Sequence, residues 1–241
     1  MALYDHYAKP AVHYEYVLTQ ERPILTTLVS SKKDFNEHVR RQAFDWMGQL
    51  EGWCSDLKAT TLIDLVLKTK PNIIVEIGVW GGKSLIPMAC ALKANKKGTI
   101  FGIDPWDSNA SIEEIREEVN RAFWSYANHD VILRGLIQKI DQFDLHDQII
   151  LVKNTSEDAP IIEGIDILHV DGNHSTKKSL GDVTKWVPHM NSGGWIIFDD
   201  MTWCEQGVFT TAAAVEWLDQ HCIKIGQFSD IYCVWGIWVK P

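Results

Sequence analysis

The stretch VEIGVWGGKS, residues 75–84, decides the fold. It leads from a short apolar segment, which is typical of a buried strand, through three glycines into a segment that favours a helix. Backbone amides and the helix dipole at such a junction can hold a polar ligand. An ordinary tight turn would use the same residue types, so the spacing of the glycines has to distinguish the two interpretations.

Two nucleotide-binding motifs fit these glycines poorly. A dinucleotide-binding turn requires GxGxxG, but Val79 and Trp80 follow Gly78, so the second glycine is missing. A P-loop requires GxxxxGK followed by Ser or Thr. The GKS at residues 82–84 supplies its end, but Gly78 lies one residue too late to be its first glycine. Such a loop would be too short to wrap a β-phosphate.

A third pattern, ExGxxxG, is met by Glu76, Gly78 and Gly82. Here the sequence resembles the first motif of class I S-adenosylmethionine-dependent methyltransferases. The resemblance implies that the glycines let the backbone approach the methionine part of the cofactor, while the acid suits its cationic group. The predicted cofactor contacts in this loop are Glu76, Gly78, Val79, Trp80, Gly82 and Ser84.

Short apolar runs recur after the first 70 residues, and helical stretches separate most of them. These runs lie at 73–78, 99–104, 148–153, 165–171 and 194–200. Strands that are apolar on both faces and alternate with helices predict a parallel sheet covered on both sides. Two further runs, 222–228 and 231–239, predict an antiparallel hairpin at the sheet edge. We therefore expect an α/β fold with a Rossmann-like, doubly wound, mostly parallel seven-stranded sheet.

The chain is predicted to have two parts. Residues 1–70 would form an N-terminal arm and helical extension, with an irregular segment over 1–33, and residues 71–241 the cofactor-binding methyltransferase domain. The sequence leaves open whether the arm closes the site or joins two copies in a homodimer. Helices are predicted over 34–50 with Asp34 as N-cap, 55–69, 177–190 and 206–221.

Composition excludes several classes of protein. The formal net charge of −9, from 23 Lys and Arg against 32 Asp and Glu, argues against binding to nucleic-acid phosphates. The five cysteines contain no CxxC pair, which favours a reduced protein without a zinc site. The N-terminus lacks the apolar region of a signal peptide, and no apolar run approaches the ~20 residues of a membrane span. We therefore expect a cytoplasmic protein with neither nucleic-acid nor membrane partners.

Asp104 ends the second apolar run, 22 residues after the last glycine of the loop. Both nucleotide-binding folds place their ribose ligand at this position, and a carboxylate can accept two hydroxyl donors. Trp106 either stacks on an adenine or packs as an ordinary loop aromatic. The methyltransferase resemblance places Asn154, Thr155 and Ser156 beside the adenine, and the same three residues would also suit a helix N-cap.

Acidic residues follow the next two strands. Asp171 ends one apolar run, and Asp199 and Asp200 end the next. A right-handed crossover places both ends on the same side of the sheet, where ligands of open α/β sheets bind. Three converging carboxylates would repel and raise each other's pKa values. A divalent cation, with Mg²⁺ as the leading candidate, would resolve the conflict. Alternatively, one acid caps a helix while the others face solvent.

Two stretches sharpen the resemblance: HVDGNHS at 169–175 and DVTKWVPHMNSGGWIIFDDM at 182–201. They resemble the metal-dependent small-molecule O-methyltransferases of the macrocin O-methyltransferase and cephalosporin-hydroxylase-like group. In that group an Asp in a DGxH turn and two acids after the next strand hold the metal. The matching positions are Asp171, Asp199 and Asp200 for the metal and His174 for the histidine of the turn. The resemblance covers about residues 52–203.

The resemblance implies in-line transfer of a methyl group from a sulfonium to a hydroxyl of a small molecule, a sugar or a natural product. Asp171 would hold a metal that binds the acceptor oxygens and lowers the hydroxyl pKa. His174 would take the proton or contact the acceptor. Thr176 stands where the group usually has an aromatic residue, so that loop departs from the pattern.

Two other functions stay open at this point. One is a nucleotide hydrolase that uses Lys83, Ser84 and the two acids after the fifth apolar run, although the glycine spacing speaks against it. The other is a non-catalytic relative that binds the cofactor or a sugar without turnover. The second would be favoured if the three acids did not converge or if no cation bound them.

Overall fold

The computed structural model describes residues 33–241, with side chains from residue 36 onward. Residues 1–32 of the predicted irregular arm lie outside the described residues. The side chain of the predicted N-cap, Asp34, is also not described. Within the described residues the first helix spans Lys33–Met47, and its predicted end at residue 50 lies three residues too late. The division of the chain at residue 70 stays a prediction.

The helices and strands alternate along most of the described chain. The helices are α1 (Lys33–Met47), α2 (Asp56–Thr69), α3 (Leu85–Asn95), α4 (Ser108–Ile112), α5 (Glu118–Tyr126), α6 (His129–Phe143), α7 (Thr176–Trp186) and α8 (Ala212–His221), with a 3-10 turn at Val187–His189. The strands are β1 (Ile73–Ile77), β2 (Thr99–Asp104), β3 (Ile149–Lys153), β4 (Ile165–Val170), β5 (Met190–Phe198), β6 (Cys204–Glu205), β7 (Val208–Phe209), β8 (Ile223–Ser229) and β9 (Val234–Val239). None of the helices within residues 33–241 has both the length and the apolar character that a membrane crossing requires.

Seven of these strands form one sheet in the order β3-β2-β1-β4-β5-β9-β8. Strands β1 to β5 run parallel, whereas β9 is antiparallel to both β5 and β8. The strand order reverses between β1 and β4, and ligands of open α/β sheets bind outside the carboxyl ends at such a point. The predicted α/β fold with a C-terminal antiparallel hairpin is confirmed.

The core lies in two layers, one on each face of the sheet. Ile74 and Val75 are neighbours in β1 and belong to opposite layers, as successive strand residues do. The layer of Ile74 contains α1, α2, α3 and α6, with Leu62 and Leu85 fully buried. The layer of Val75 contains α7 and α8, with Trp186 fully buried. The helices of the predicted N-terminal extension therefore pack into the same core as the sheet.

The helix predicted over 206–221 begins later, at Ala212. Gln206 and Gly207 have left-handed backbone conformations, with φ of 51° and 79°, and they lie between the paired strands β6 and β7. A left-handed conformation at two successive residues reverses the chain and is incompatible with a right-handed helix. The prediction was wrong for the residues before Ala212.

Gly78 joins the end of β1 to the end of β4. Its φ is 83°, and an added Cβ would lie 2.0 Å from the carbonyl oxygen of Asp171. The amide of Asp171 donates to the carbonyl oxygen of Ile77 at 2.8 Å. Only glycine tolerates both the left-handed conformation and this close approach. The glycine-rich loop is thereby held directly against the acid that follows β4.

We expect Gly78→Ala to lower the free energy of unfolding by ~2–5 kcal/mol, since the new Cβ adds left-handed strain to a backbone clash. Gly181 is the matched control, because it lies inside α7 and a Cβ there would meet no atom within 4 Å. Gly181→Ala should raise stability by ~0.5–1 kcal/mol. Urea unfolding followed by circular dichroism measures both, and equal stabilities would contradict the close approach.

Candidate functional site

Asp104 lies at the end of β2, as predicted, and holds the glycine-rich loop. Its Oδ2 accepts the amide hydrogens of Val79 and Trp80 at 3.0 and 2.9 Å, and its Oδ1 accepts that of Trp106 at 2.7 Å. Burial raises the pKa of Asp104, although the three amide hydrogen bonds act to lower it. A carboxylate has about four acceptor positions. Asp104 therefore retains room for one further donor, such as a ribose hydroxyl.

The aromatic residues of the loops pack on each other. Trp106 is buried, and its indole nitrogen donates to the carbonyl oxygen of Trp80 at 2.9 Å, so the structure favours the packing role for Trp106. Trp80 has a left-handed φ of 50° and belongs to an aromatic cluster. The other members of this cluster are Trp53, Phe123, Trp124 and His129. The cluster covers the glycine-rich loop on the side of α5 and α6.

Three of the residues predicted to contact the cofactor, Glu76, Gly82 and Ser84, make contacts inside the protein. Glu76 is fully buried, and its Oε1 accepts a short hydrogen bond from the hydroxyl of Ser84. An added Cβ at Gly82 would lie 2.5 Å from Cδ1 of Leu136, so this glycine makes room for α6. The backbone of the loop is thus set from inside by these residues. Their contact with a cofactor stays a prediction.

The residues after β3 form a turn that is fastened to α7. The side-chain oxygen of Asn154 accepts the amide hydrogen of Thr155 at 2.9 Å, and the hydroxyl of Ser156 donates a short hydrogen bond to Asp182. Burial raises the pKa of Asp182 to about 7, although the Ser156 hydroxyl and two nearby lysines act to lower it. The predicted location beside an adenine stays a prediction, and sequence analysis did not identify Asp182.

A buried polar network crosses the sheet below these loops. From the Ser84 hydroxyl it runs to Glu76, whose Oε1 lies 2.9 Å from Nδ1 of His169. Nε2 of His169 lies 3.3 Å from Oδ2 of Asp199. The same oxygen accepts a short hydrogen bond from the ammonium group of Lys58. Side chains from α2, β1 and β4 therefore meet at the acid that follows β5.

Lys58, His169 and Asp199 stabilise one another as charged groups, whereas Asp171 is disfavoured as a carboxylate. Burial alone would lower the pKa of His169, but the carboxylates of Asp199 and Glu76 raise it to about 10. Burial would raise the pKa of Asp199, but Lys58 and His169 hold it below its usual range. Burial together with the nearby Asp199 raises the pKa of Asp171 well above its usual range. The network thus has two cationic side chains facing its carboxylates.

Of the three acids predicted to hold a metal, Asp171 lies close to each of the other two, in two separate groups. Ligand atoms of Asp171 and Asp199 lie within 4.8 Å of each other, and so do those of Asp171, His174 and Asp200. However, the ammonium group of Lys58 is paired with Asp199 and lies 3.8 Å from Oδ2 of Asp171. A lysine side chain therefore lies between two of the three carboxylates that were predicted to bind a metal. A divalent cation at this set stays a prediction.

His174 lies at the mouth of the site, where sequence analysis placed it. Its Nε2 is 3.3 Å from Oδ2 of Asp200, and its ring lies 4.6 Å from that of Trp203 between centroids. The hydroxyl of Thr210 donates to the carbonyl oxygen of His174 at 2.6 Å. An imidazole held by a carboxylate on one side and an indole on another is oriented without being buried, since 21% of its side chain is exposed.

Sequence analysis missed Lys58 and His169. Lys58 shares one helical face with Leu62 and Leu65, and a lysine on an otherwise apolar stripe is the signal that could have identified it. His169 stands inside the apolar run of β4, where a polar side chain requires a buried partner.

The described geometry defines a class of protein. The strand order with an antiparallel β9, the glycine-rich loop after β1 and the acid at the end of β2 together characterise the class I S-adenosylmethionine-dependent methyltransferase fold. A family model described as a methyltransferase domain matches residues 75–201. The chain belongs to this methyltransferase family.

Two relatives by sequence have names without a stated activity. Uncharacterized protein R132 of Acanthamoeba polyphaga mimivirus is 28% identical over 126 residues, which are 52% of this chain and 50% of that protein. Uncharacterized protein y4gI of Sinorhizobium fredii is 26% identical over 144 residues, 59% of this chain and 14% of that protein. The matched region thus spans half of the first relative and a small part of the second.

Solved structures of O-methyltransferases share the fold. The Bacillus cereus enzyme in complex with SAH has a TM-score of 0.57 at 16% identity, covering 90% of this chain and 95% of that one. TomG from Streptomyces achromogenes, in complex with SAM, has a TM-score of 0.56 at 16% identity, covering 90% and 93%. NovP has a TM-score of 0.53 at 19% identity, covering 85% and 78%. These similarities confirm the predicted methyltransferase fold.

The raised pKa of Asp182 predicts a pH dependence of stability. Because its pKa is about 7 when folded and 3.8 ordinarily, the folded protein holds one more proton between these values. The stability from this group is therefore complete below about pH 4 and is lost as the pH rises through about 7. Asp182→Asn keeps an acceptor for Ser156 but cannot ionise. It should remove a slope of ~1.4 kcal/mol per pH unit.

Urea unfolding at a series of pH values measures this slope. Asp158→Asn is the matched control, because Asp158 is exposed and lies near the same turn. The control should keep the slope of the wild type. If Asp182→Asn and the wild type show parallel curves between about pH 4 and 7, Asp182 is ionised throughout that range.

Proposed function

We propose that the protein transfers the methyl group of S-adenosylmethionine to a hydroxyl of a small molecule, a sugar or a natural product. One observation carries the proposal: Gly78 closes the glycine-rich loop directly onto the carbonyl of Asp171. A cofactor on that loop would present its sulfonium beside the mouth formed by Asp171, His174 and Asp200. The names of the structural neighbours support transfer to oxygen, and TomG, which is involved in tomaymycin synthesis, supports a natural-product acceptor.

The cofactor would lie along the carboxyl edge of the sheet. The loop backbone from Gly78 to Gly82 would take the methionine part, with Asp171 at its end. Asp104 would accept one ribose hydroxyl at its remaining acceptor position. The turn that contains Asn154 would border the adenine. Each of these contacts follows from the order of the strand ends, since β3, β2, β1 and β4 are adjacent.

The proposed reaction needs one proton acceptor. The carbon–sulfur bond breaks with its electron pair left on sulfur, which gives S-adenosylhomocysteine, while the acceptor oxygen forms the new bond to carbon. The hydroxyl proton passes to Nδ1 of His174, because Nε2 faces Asp200 at 3.3 Å, and this carboxylate stabilises the imidazolium. A divalent cation held by Asp171, Asp199 and Asp200 would act as a Lewis acid on the acceptor oxygen, and its binding stays a prediction.

The alternative functions have less support. A nucleotide hydrolase would need the hydroxyl of Ser84 free for a bound cation, but that hydroxyl donates to the buried Glu76. A non-catalytic relative would not require an oriented imidazole at the mouth. A cytoplasmic location and the absence of nucleic-acid and membrane partners stay predictions from composition, and so does a homodimer formed through the arm.

Calorimetry tests the identity of the cofactor. We expect S-adenosylmethionine and S-adenosylhomocysteine to bind more tightly than ATP or NAD. Asp104→Ala should weaken both by ~10–100-fold, because the loop amides lose a charged acceptor worth ~1.5–3 kcal/mol. Asp107→Ala is the matched control, since Asp107 is exposed and only caps α4. Tighter binding of ATP than of either methyl cofactor would refute the proposal.

A methylation assay tests the proton acceptor. Labelled S-adenosylmethionine would be offered with a panel of sugars and phenolic natural products, and the variants assayed with any acceptor that is methylated. His174→Ala should lower kcat by ~10²–10⁴-fold with cofactor affinity unchanged. His221→Ala is the control, because His221 is exposed at the end of α8. An unchanged kcat in His174→Ala would remove this histidine from proton transfer.

A further inference from the structure

We propose that the ammonium group of Lys58 is the permanent cation of the acidic mouth and stands where a divalent ion would otherwise lie between Asp171 and Asp199. This inference deepens the proposed function, on which it rests, because it makes methyl transfer at this site independent of a metal. Lys58 would be a positioning residue. It acts through the two carboxylates and has no assigned contact with the reacting atoms.

The burial of Lys58 is the first argument. Its side chain is 1% exposed and that of its partner Asp199 is 0% exposed. Lysine is almost never fully buried unless it is paired, because removing its charge from water is costly. Lys58 is paired at the site itself, with a short hydrogen bond to Asp199 and with Asp171 at 3.8 Å. The pairing therefore determines where the ammonium group lies.

The position of Lys58 is fixed from its backbone outward. Its amide donates to Oγ of Ser55, the N-cap of α2, at 3.1 Å. The Ser55 hydroxyl in turn donates to Oδ2 of Asp230 at 2.6 Å, in the turn between β8 and β9. The first turn of α2 is thus attached to the far edge of the sheet. These contacts fix the backbone from which the side chain of Lys58 reaches the two carboxylates.

The donor atoms left over do not form a cage for a dication. Mg²⁺ requires near-octahedral oxygen ligands at ~2.0–2.1 Å. The group of Asp171, His174 and Asp200 includes a histidine nitrogen, and its Asp171 lies 3.8 Å from the ammonium group of Lys58. Oδ2 of Asp199 is already shared between Lys58 and His169. Oδ1 of Asp199 is buried without a hydrogen-bond partner among the described residues. A dication on Oδ1 would stand next to the ammonium group, and like charges at that distance repel strongly in a buried site.

An ammonium cation in place of a metal changes which acceptor molecules the site can use. A metal with open positions binds two neighbouring oxygens of a substrate and lowers the pKa of its hydroxyl. A lysine ammonium group has no open coordination positions and only donates hydrogen bonds. Proton removal then falls on His174, and an acceptor with a single isolated hydroxyl becomes as suitable as one with two adjacent oxygens.

Thermal unfolding with and without metal tests the inference on the full chain. The wild type should have the same melting temperature in EDTA and in millimolar Mg²⁺. Lys58→Ala removes the cation and opens space beside the carboxylates, so its melting temperature should fall by several degrees and be partly restored by Mg²⁺. Lys97→Ala, at an exposed lysine away from the site, should show neither effect. A purely structural lysine would give the loss without the restoration by metal.

A second variant covers the case in which Lys58→Ala does not fold. Lys58→Ala combined with Asp199→Asn removes both charges, so it should fold and show no response to Mg²⁺. The inference is overturned if Mg²⁺ stabilises the wild type, if folded Lys58→Ala gains no response to Mg²⁺, or if the double variant also fails to fold. None of these measurements uses a methyl acceptor. Failure of the proposed methyl transfer would therefore leave them intact.

Discussion

The buried ion pair between Lys58 and Asp199 is the constraint to which the rest of the site conforms. It joins α2 to the acid that follows β5, and His169 extends it through β4 to Glu76 in β1. Breaking a buried pair by removing one partner typically costs ~3–5 kcal/mol, because the other charge is left uncompensated. The strand ends that carry Asp171 and Asp199 are thereby held in one relative position before any ligand binds.

The side of the site proposed to bind the cofactor is held by backbone contacts. Asp104 gathers three loop amides, and Gly78 brings that loop onto the carbonyl of Asp171. Both arrangements direct backbone dipoles in fixed directions, and preorganised dipoles stabilise developing charge effectively. The loop and the acidic mouth therefore behave as one rigid surface with His174 at its rim.

Much of this architecture is predictable from local sequence. The apolar runs at 73–78 and 165–171 locate β1 and β4, and the glycines locate the loop after β1, because both are short-range patterns. The convergence of Asp171 and Asp199 follows from strand order alone. The partner of Asp199 does not, since Lys58 lies 141 residues away in the chain and only tertiary packing brings it there. The turn at Gln206 was missed because two left-handed residues leave little trace in a helical pattern.

The attachment of α2 has a consequence for how this chain is divided. The matched family region begins at residue 75, after α2 has ended at Thr69. A fragment that starts at the family boundary would keep Asp171 and Asp199. It would lose Lys58, the cation that is paired with both of them. The acidic edge of the fragment would then repel anions and attract any available cation. The region defined by sequence similarity is therefore shorter than the region needed to balance the charges of the site. The longer region includes α2, which precedes the family match.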